Sequence, residues 1–421
     1  MRLKRKIAYL LSVMMLLSSC VTPGGEFSDI GPQLSSFFNP PPEYQGIVAK
    51  DGVKLDVVIP VFDPGIPENM TDDQKATIWP ELRRAESTKF ALMMKRALES
   101  TEAFGAVRVV PNQNSTGDLY VLGKIDESTG EDIEIDIKVV DISGKTWLDT
   151  SFDHRVSEQF HQNLRNEGKD PYDPVFDEAA KYIVERLNGR PGKELTILKS
   201  ITDIRFAASF SESEFSKYLG KKEGLLGSED FFGFDGSYRT LVNMPADDDP
   251  KFMKTKAIRV RDQLFIDNLQ PHYRKFESKM NESYAVWQEQ SLKEVKAVRE
   301  AEMEAIGEGI IGALAIVGAV ALVVASQGDY NPTPSILGAT AAGVVGVHML
   351  GESFKTSKEA EVYRDALSEL GQSIDLELAP QVIKFEKETV ELTGDAAEQF
   401  AQWRNFLKQI YQAEATPEVR L

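Results

Sequence analysis

The chain has 421 residues, of which 42% are hydrophobic and 27% are charged. This length and composition are typical of a globular protein with two or three domains and argue against a disordered chain. The formal net charge of −18 makes nucleic acid a poor partner, because that binding depends on Lys and Arg that neutralise phosphates.

Residues 1–19 have the pattern of a secretory signal peptide. They begin with a basic cluster, continue with an apolar run over 7–17 and end in small residues. The basic cluster consists of Arg2, Lys4, Arg5 and Lys6. Cleavage removes these four charges and no acidic residue, so the expected mature chain carries about −22 (−18 less 4).

The end of this segment resembles the lipobox of bacterial lipoproteins, which is an aliphatic residue, two small residues and a cysteine. Here the four residues are Leu17, Ser18, Ser19 and Cys20. The resemblance implies that the Cys20 thiol receives a diacylglycerol, that the chain is cut before it and that the new amino terminus is acylated. Cys20 is the single cysteine, so no disulfide is expected. An ordinary signal peptide with a chance cysteine is the alternative.

The lipid determines the expected location and partners. Two or more acyl chains hold a protein stably on a membrane. Val21 is not the aspartate that resembles an inner-membrane retention signal, so we expect an outer-membrane lipoprotein that mainly faces the periplasm. The expected partners are outer-membrane lipid, other envelope proteins and further copies of the chain. No cofactor is expected besides the covalent lipid on Cys20.

A tether and a mixed α/β domain follow the signal. Residues 20–47 are rich in Pro and Gly, which oppose regular structure, and residues 48–190 show strand and helix patterns. Ile133, Ile135 and Ile137 alternate with charged residues, as in a strand with one buried face. The predicted strands cover 55–62, 104–110, 118–125, 133–139 and 146–152, and the predicted helices cover 80–100 and 177–187.

The order of these elements resembles the periplasmic domain shared by the curli secretion lipoprotein CsgG, the amino-terminal domain of TolB and the penicillin-binding-protein activator LpoB. The resemblance is carried by strand ends and turns at 57–63, 105–110, 118–125 and 139–147. It includes no catalytic residue and implies a module for envelope assembly or docking. The segment 64–80 departs from this pattern, because it is longer and richer in Pro and Asp than a simple strand-to-helix loop. It is interpreted either as a partner contact or as a tolerated surface insertion.

Residues 191–250 show poor periodicity and are predicted to form an irregular linking subdomain. Its phenylalanines are interpreted as packing residues, with an aromatic ligand surface as the alternative. The run Asp247-Asp248-Asp249 lacks the spacing of a calcium-binding EF-hand, so a turn that caps the next helix is expected.

From 251 to 415 apolar residues recur at helical spacing and predict a bundle of long helices. The main stripe is Phe265, Leu269, Tyr273, Phe276, Met280, Tyr284 and Trp287. The predicted fold class is therefore α+β. It consists of an N-terminal mixed α/β periplasmic domain, followed by a long-helix bundle that carries an apolar Gly/Ala-rich helical hairpin.

The predicted apolar hairpin covers 307–351. Its first arm, 310–325, has no charged or polar side chain, and its sixteen residues would span roughly 24 Å as a helix, short of the ~30 Å core of a bilayer. Three interpretations stay open: burial in the bundle or against identical hairpins, insertion of several hairpins into the outer membrane, and a partner-binding tip. The predicted membrane or oligomer contacts are the small residues that allow close helix approach, namely Gly312, Gly318, Gly338, Gly343, Gly346 and Gly351.

No pattern predicts catalysis or a metal site. The four histidines are scattered, and although His154 and His161 could share a helix face, no third ligand accompanies them. The motifs of common nucleophiles, phosphate loops and metalloproteases are missing from the sequence. The sequence therefore predicts a non-enzymatic, oligomeric component of an outer-membrane assembly, secretion or export apparatus. The alternative is a regulatory lipoprotein that docks on a periplasmic enzyme or envelope complex.

Overall fold

A five-stranded mixed sheet is central to the computed structural model, which describes residues 52–70, 78–222, 238–307, 358–372, 376, 378–385 and 388–415. The strands are β1 Val57–Pro60, β2 Val107–Val110, β3 Leu119–Ser128, β4 Asp132–Asp141 and β5 Thr146–Arg155. Their spatial order is β2-β1-β3-β4-β5. Strands β2 and β3 both run parallel to β1, and β3, β4 and β5 form an antiparallel meander.

The sheet confirms the predicted strands, with differences at their ends. Strand β1 is buried along its whole length, as expected for a parallel strand covered on both faces. In β4, Ile133, Ile135 and Ile137 are at most 1% exposed, while the charged residues between them are half-buried. The alternation in the sequence therefore does place one face of this strand in the core.

Seven helices accompany the sheet within the described residues. They are α1 Pro80–Ser100, α2 Asp173–Asn188, α3 Gly192–Ala208, α4 Glu212–Phe215, α5 Pro250–Gly307, α6 Lys358–Leu370 and α7 Ala396–Ala415. Helix α1 has the predicted bounds, and Pro80 occupies its first turn, where its missing N–H costs nothing. The side chain of Asp249 accepts hydrogen bonds from the N–H groups of Lys251 and Phe252, which confirms the predicted cap of α5.

Helices α1 and α2 pack on each other and on the sheet. The ring of Phe90 in α1 meets the rings of Tyr172 and Phe176 edge-on, with centroids 6.0 and 5.4 Å apart. These rings are at most 1% exposed, so burial of their apolar area holds the two helices together.

Helix α5 covers the edge of the sheet at β2. The carboxamide of Gln270 accepts from the N–H of Val109 at 3.1 Å and donates to its C=O at 2.8 Å. Arg108 forms a two-bond ion pair with Asp267 on the same helix. An unpaired strand edge can pair with other chains and promote aggregation. Here the backbone N–H and C=O of Val109 bond the side chain of Gln270 instead.

Two of the sequence predictions need correction. The described parts of 191–250 are not irregular, because they contain α3, α4 and the hairpin of β6 Leu219–Lys222 and β7 Tyr238–Leu241. The region 251–415 is not only helical, because it also contains the hairpin of β8 Gln381–Phe385 and β9 Glu388–Leu392. The C-terminal half of α3 is buried on all sides, including Arg205 at 1% exposure, so it lacks the one-sided stripe of a surface helix.

The hydrophobic core continues from the sheet into the C-terminal helices, and the fold is α+β. The ring of Phe265 in α5 stacks on that of Trp403 in α7, with centroids 5.4 Å apart. Leu367 in α6 is fully buried. At the end of α6, a Cβ added to Gly371 would lie 1.7 Å from the backbone oxygen of Glu81, so α6 and the start of α1 pack backbone against backbone.

Candidate functional site

The residues predicted to make functional contacts lie outside the described part of the chain. They are Cys20, Gly312, Gly318, Gly338, Gly343, Gly346 and Gly351. The segment 308–351 of the predicted hairpin lies outside it as well. None of the described helices has both the length and the apolar character needed to cross a membrane. Among the same residues, no three His, Cys, Asp or Glu side chains are grouped to hold a metal ion.

A buried polar cluster joins α1, β3 and α5. Its centre is Glu86 in α1, which has no exposed surface. One carboxylate oxygen, Oε1, accepts hydrogen bonds from the hydroxyl of Ser128 at 2.6 Å and from the phenol of Tyr284 at 2.7 Å. The other oxygen, Oε2, has no hydrogen-bond partner among the described residues, and the guanidinium of Arg83 lies 3.9 Å from it.

The protonation of this cluster follows from its burial. Burial raises the pKa of Glu86, and the nearby Arg83 together with the two hydroxyl groups only partly opposes that effect. Burial and the neighbouring Glu86 also raise the pKa of Tyr284 well above its usual range. Tyr284 therefore keeps its proton, which it needs in order to donate to Glu86.

A second group of the same cluster ties the segment before α2 to α1 and α5. Lys89 is 3% exposed, and its ammonium contacts Asp170 at 2.8 Å and Asn281 at 3.2 Å. It also lies 4.9 Å from the centre of the Tyr284 ring, within the range of cation–π attraction. Gln288 donates to the other oxygen of Asp170 at 3.2 Å. Asp170 thus neutralises the charge of Lys89, and contacts with α5 fix the ammonium group that α1 carries.

A cavity of about 670 Å³ opens beside this lysine. Its walls come from α1, from α5 and from the segment between β5 and α2, which contains two short 3-10 turns, Phe160–Gln162 and Leu164–Asn166. No sequence pattern indicated this site, because its walls lie far apart in the chain. The segment 160–171 and the lining residues of α5 are more than a hundred residues apart, and no local pattern links them.

The two histidines considered as a pair do not share a helix. His154 lies in β5 and His161 lies in the first 3-10 turn. Burial lowers the pKa of His161, which lines the cavity, so its imidazole is neutral near pH 7. Its Nε2 atom is buried and has no hydrogen-bond partner among the described residues.

A separate buried carboxylate, Asp118, fixes α3 and α5 against the start of β3. It has no exposed surface and accepts from the backbone N–H of Asp56 at 2.8 Å and from the hydroxyl of Thr202 at 2.6 Å. The ammonium of Lys199 lies 2.8 Å away, and the guanidinium of Arg259 lies 3.9 Å away. This cluster lies outside the cavity lining and acts in packing.

Comparisons with known proteins assign no family. No family model matches the chain, and no curated protein matches it. A solved structure that is similar is the hypothetical protein CT253 from Chlamydia trachomatis, with 16% identity and a TM-score of 0.19. The similarity covers 32% of this chain and 96% of that one. At that TM-score it carries no argument about fold or function.

Proposed function

We propose that the chain is a lipid-anchored, non-enzymatic protein that forms an oligomeric part of an outer-membrane assembly, secretion or export apparatus. The observation that carries this proposal is the combination of a lipobox ending at Cys20 with the apolar segment 310–351. The lipid provides attachment to the membrane. The apolar segment needs lipid or protein to cover it, because soluble proteins rarely expose apolar patches larger than a few hundred Å².

The setting of α5 and α6 supports this proposal. Helix α5 is held on the sheet by Gln270 and on α1 by Tyr284, and it continues from Leu292 to Gly307 for about 22 Å. Helix α6 begins at Lys358 and packs on both α1 and α5. The chain thus enters the apolar segment from one helix and leaves it into another, and both helices are fixed to the same α/β body. Such a body would hold the segment in a set position relative to a membrane or to neighbouring copies.

The likeness of 48–190 to the CsgG, TolB and LpoB domain adds support, because the structure has the strand and helix order from which that resemblance was inferred.

The same likeness also supports the second candidate, a regulatory lipoprotein that docks on a periplasmic enzyme. A specific observation favours docking. Met253, Val260 and Leu264 are 54–56% exposed, and their spacing of seven and four places them on one face of α5.

The first experiment measures the mass of the lipidated chain in mild detergent by gel filtration with light scattering. We expect a defined multiple of the chain mass. A variant with 310–351 replaced by a short Gly/Ser linker is expected to lose that oligomer while the unfolding of its α/β body is unchanged. The substitution Cys20→Ser is expected to move the protein out of the membrane fraction of cells.

The outcomes separate the two candidates. A wild-type chain that is monomeric and stays in solution without lipid or detergent contradicts the assembly proposal. A linker variant that loses the oligomer, together with a lipid-dependent wild type, supports it. If the linker variant still binds one defined periplasmic enzyme with unchanged affinity, and Leu264→Glu abolishes that binding, the docking function is favoured instead.

A further inference from the structure

The cavity between α1, α5 and the segment before α2 has the size of a ligand site. Pockets that bind small molecules typically enclose 300–1,000 Å³, and this cavity measures about 670 Å³. None of its lining residues belongs to the predicted membrane segment or to the exposed face of α5, and the proposed function does not use it.

The charges around the cavity nearly balance, with one acidic side chain in excess. Its lining contains three cationic and four acidic side chains: Lys89, Arg96, Lys169, Glu167, Asp170, Asp173 and Glu277. Lys89 pairs with Asp170, and Arg96 pairs with Glu277. With these four charges paired, Lys169, Glu167 and Asp173 leave a single negative charge in excess, so the cavity offers no strong field of either sign to an ionic ligand.

Four carboxamides line the same cavity, and each uses one end within the protein. Asn163 accepts from the N–H of Arg165, and Asn281 accepts from Lys89, so both have an amide NH₂ left over. Asn166 donates to the C=O of Phe160, and Gln288 donates to Asp170, so both have a carbonyl oxygen left over. Among the described residues these remaining ends have no partner, so the walls present two donors and two acceptors.

Apolar groups accompany these polar ends. Phe160 and Leu164 both belong to the lining, and Leu164 is 87% exposed. Asn281 and Gln288 lie two turns apart on one face of α5, so the helix fixes the distance between one donor and one acceptor. The cavity therefore combines paired donors and acceptors with an aromatic surface.

We propose that this cavity binds a neutral saccharide. Neighbouring hydroxyl groups of a sugar each donate and accept, which matches carboxamide ends of both kinds. The C–H face of a sugar ring packs on an aromatic ring such as that of Phe160. The buried pair of Lys89 and Asp170 behind the wall holds Asn281 and Gln288 in place, as a preorganised site requires.

The test uses the full chain in mild detergent and two neutral probes, chitotetraose and maltotetraose, with binding followed by calorimetry and by NMR of the side-chain amides. The double variant Asn163→Asp with Asn281→Asp keeps both protein-side acceptors and removes both donors that face the ligand. We expect saturable binding of at least one probe, weakened tenfold or more in the double variant. Asn243→Asp is the matched control, because its side chain also accepts a backbone N–H but lies outside the cavity lining.

Several results would overturn the proposal. These are no binding of either probe at millimolar concentration, binding that the double variant leaves unchanged, and tighter binding of anionic oligogalacturonate than of the neutral sugars. Thermal unfolding of each variant checks that the fold is intact. Because the readout is binding to this cavity, the result is independent of membrane attachment and of the oligomeric state.

Discussion

The phenol of Tyr284 donates a 2.7 Å hydrogen bond to Glu86, a residue 198 positions earlier in the chain. Both side chains are at most 1% exposed. The same oxygen of Glu86 accepts from Ser128 in β3, so one carboxylate joins α5, α1 and the sheet. If the buried carboxylate of Glu86 lost this donor, no water could replace the hydrogen bond. The contact is therefore important for the position of α5.

The first prediction concerns this contact. Tyr284→Phe keeps the ring and removes the hydroxyl donor, leaving Glu86 with Ser128 alone. We expect a loss of about 1–3 kcal/mol in the free energy of unfolding, measured by urea titration. Tyr182→Phe is the control: Tyr182 is 41% exposed, and its change is expected within about 0.5 kcal/mol. Equal effects of the two substitutions would contradict this account.

The second prediction is a pH dependence at Glu86. Burial raises the pKa of Glu86 in the folded state, so the folded chain holds this proton more tightly than the unfolded chain does. Its contribution to stability is full below the usual pKa and is lost as the pH rises through the raised value. The variant Glu86→Gln cannot titrate. Relative to wild type it should gain stability between pH 4 and 8, by about 1.4 kcal/mol for each unit of the shift.

The measurement is the melting temperature of both proteins across that pH range. Glu289→Gln is a control of opposite sign, because a hydrogen bond from Lys293 lowers the pKa of Glu289. That bond stabilises the wild type above the usual pKa of a glutamate. Relative to wild type, Glu289→Gln should therefore become slightly less stable as the pH rises. A difference between Glu86→Gln and wild type that stays constant with pH would show that Glu86 titrates normally in the fold.

Local pattern predicted much of the sheet domain. Pro80 and the apolar spacing after it gave the bounds of α1, and alternation gave β4. Helix α3 was missed because its C-terminal half buries residues around its whole circumference, so its apolar residues form no stripe. The hairpin of β8 and β9 was missed because it is short and lies between two strongly helical segments.

The cavity needed tertiary information. Lys89, Asn163 and Asn281 lie in separate elements, and no spacing rule connects them. Their meeting depends on contacts such as Gln270 with Val109, in which a side chain satisfies a strand edge. In the sequence, Gln270 is simply a polar residue in a helical pattern. Whether such a residue faces water or a strand depends on how α5 lies across the sheet.

The third prediction concerns the packing of α6 on α1. A Cβ at Gly371 would lie 1.7 Å from the backbone oxygen of Glu81, which cannot move as a flexible side chain can. Gly371→Ala should therefore displace α6 from α1, with a cost of about 1–3 kcal/mol. We expect faster hydrogen exchange over residues 358–370. At Gly189 a Cβ would meet no atom closer than 3.7 Å, so Gly189→Ala is the control and should leave that exchange unchanged.

The last prediction concerns Asp118, which joins α3 and α5 to β3. Asp118→Ala removes the acceptor of Thr202 and leaves Arg259 and Lys199 without a shared carboxylate. Removing one partner of a buried pair costs about 3–5 kcal/mol when the remaining charge is left uncompensated. Here Arg259 keeps Asp203, and Lys199 keeps Asp56 and reaches water at 37% exposure, so we expect about 2–3 kcal/mol by urea titration. Asp149 pairs with Lys138 but is 61% exposed, and Asp149→Ala should cost about 1 kcal/mol or less. If the two variants lost the same stability, apolar burial alone would hold α3 in place, and Asp118 would be a bystander in its packing.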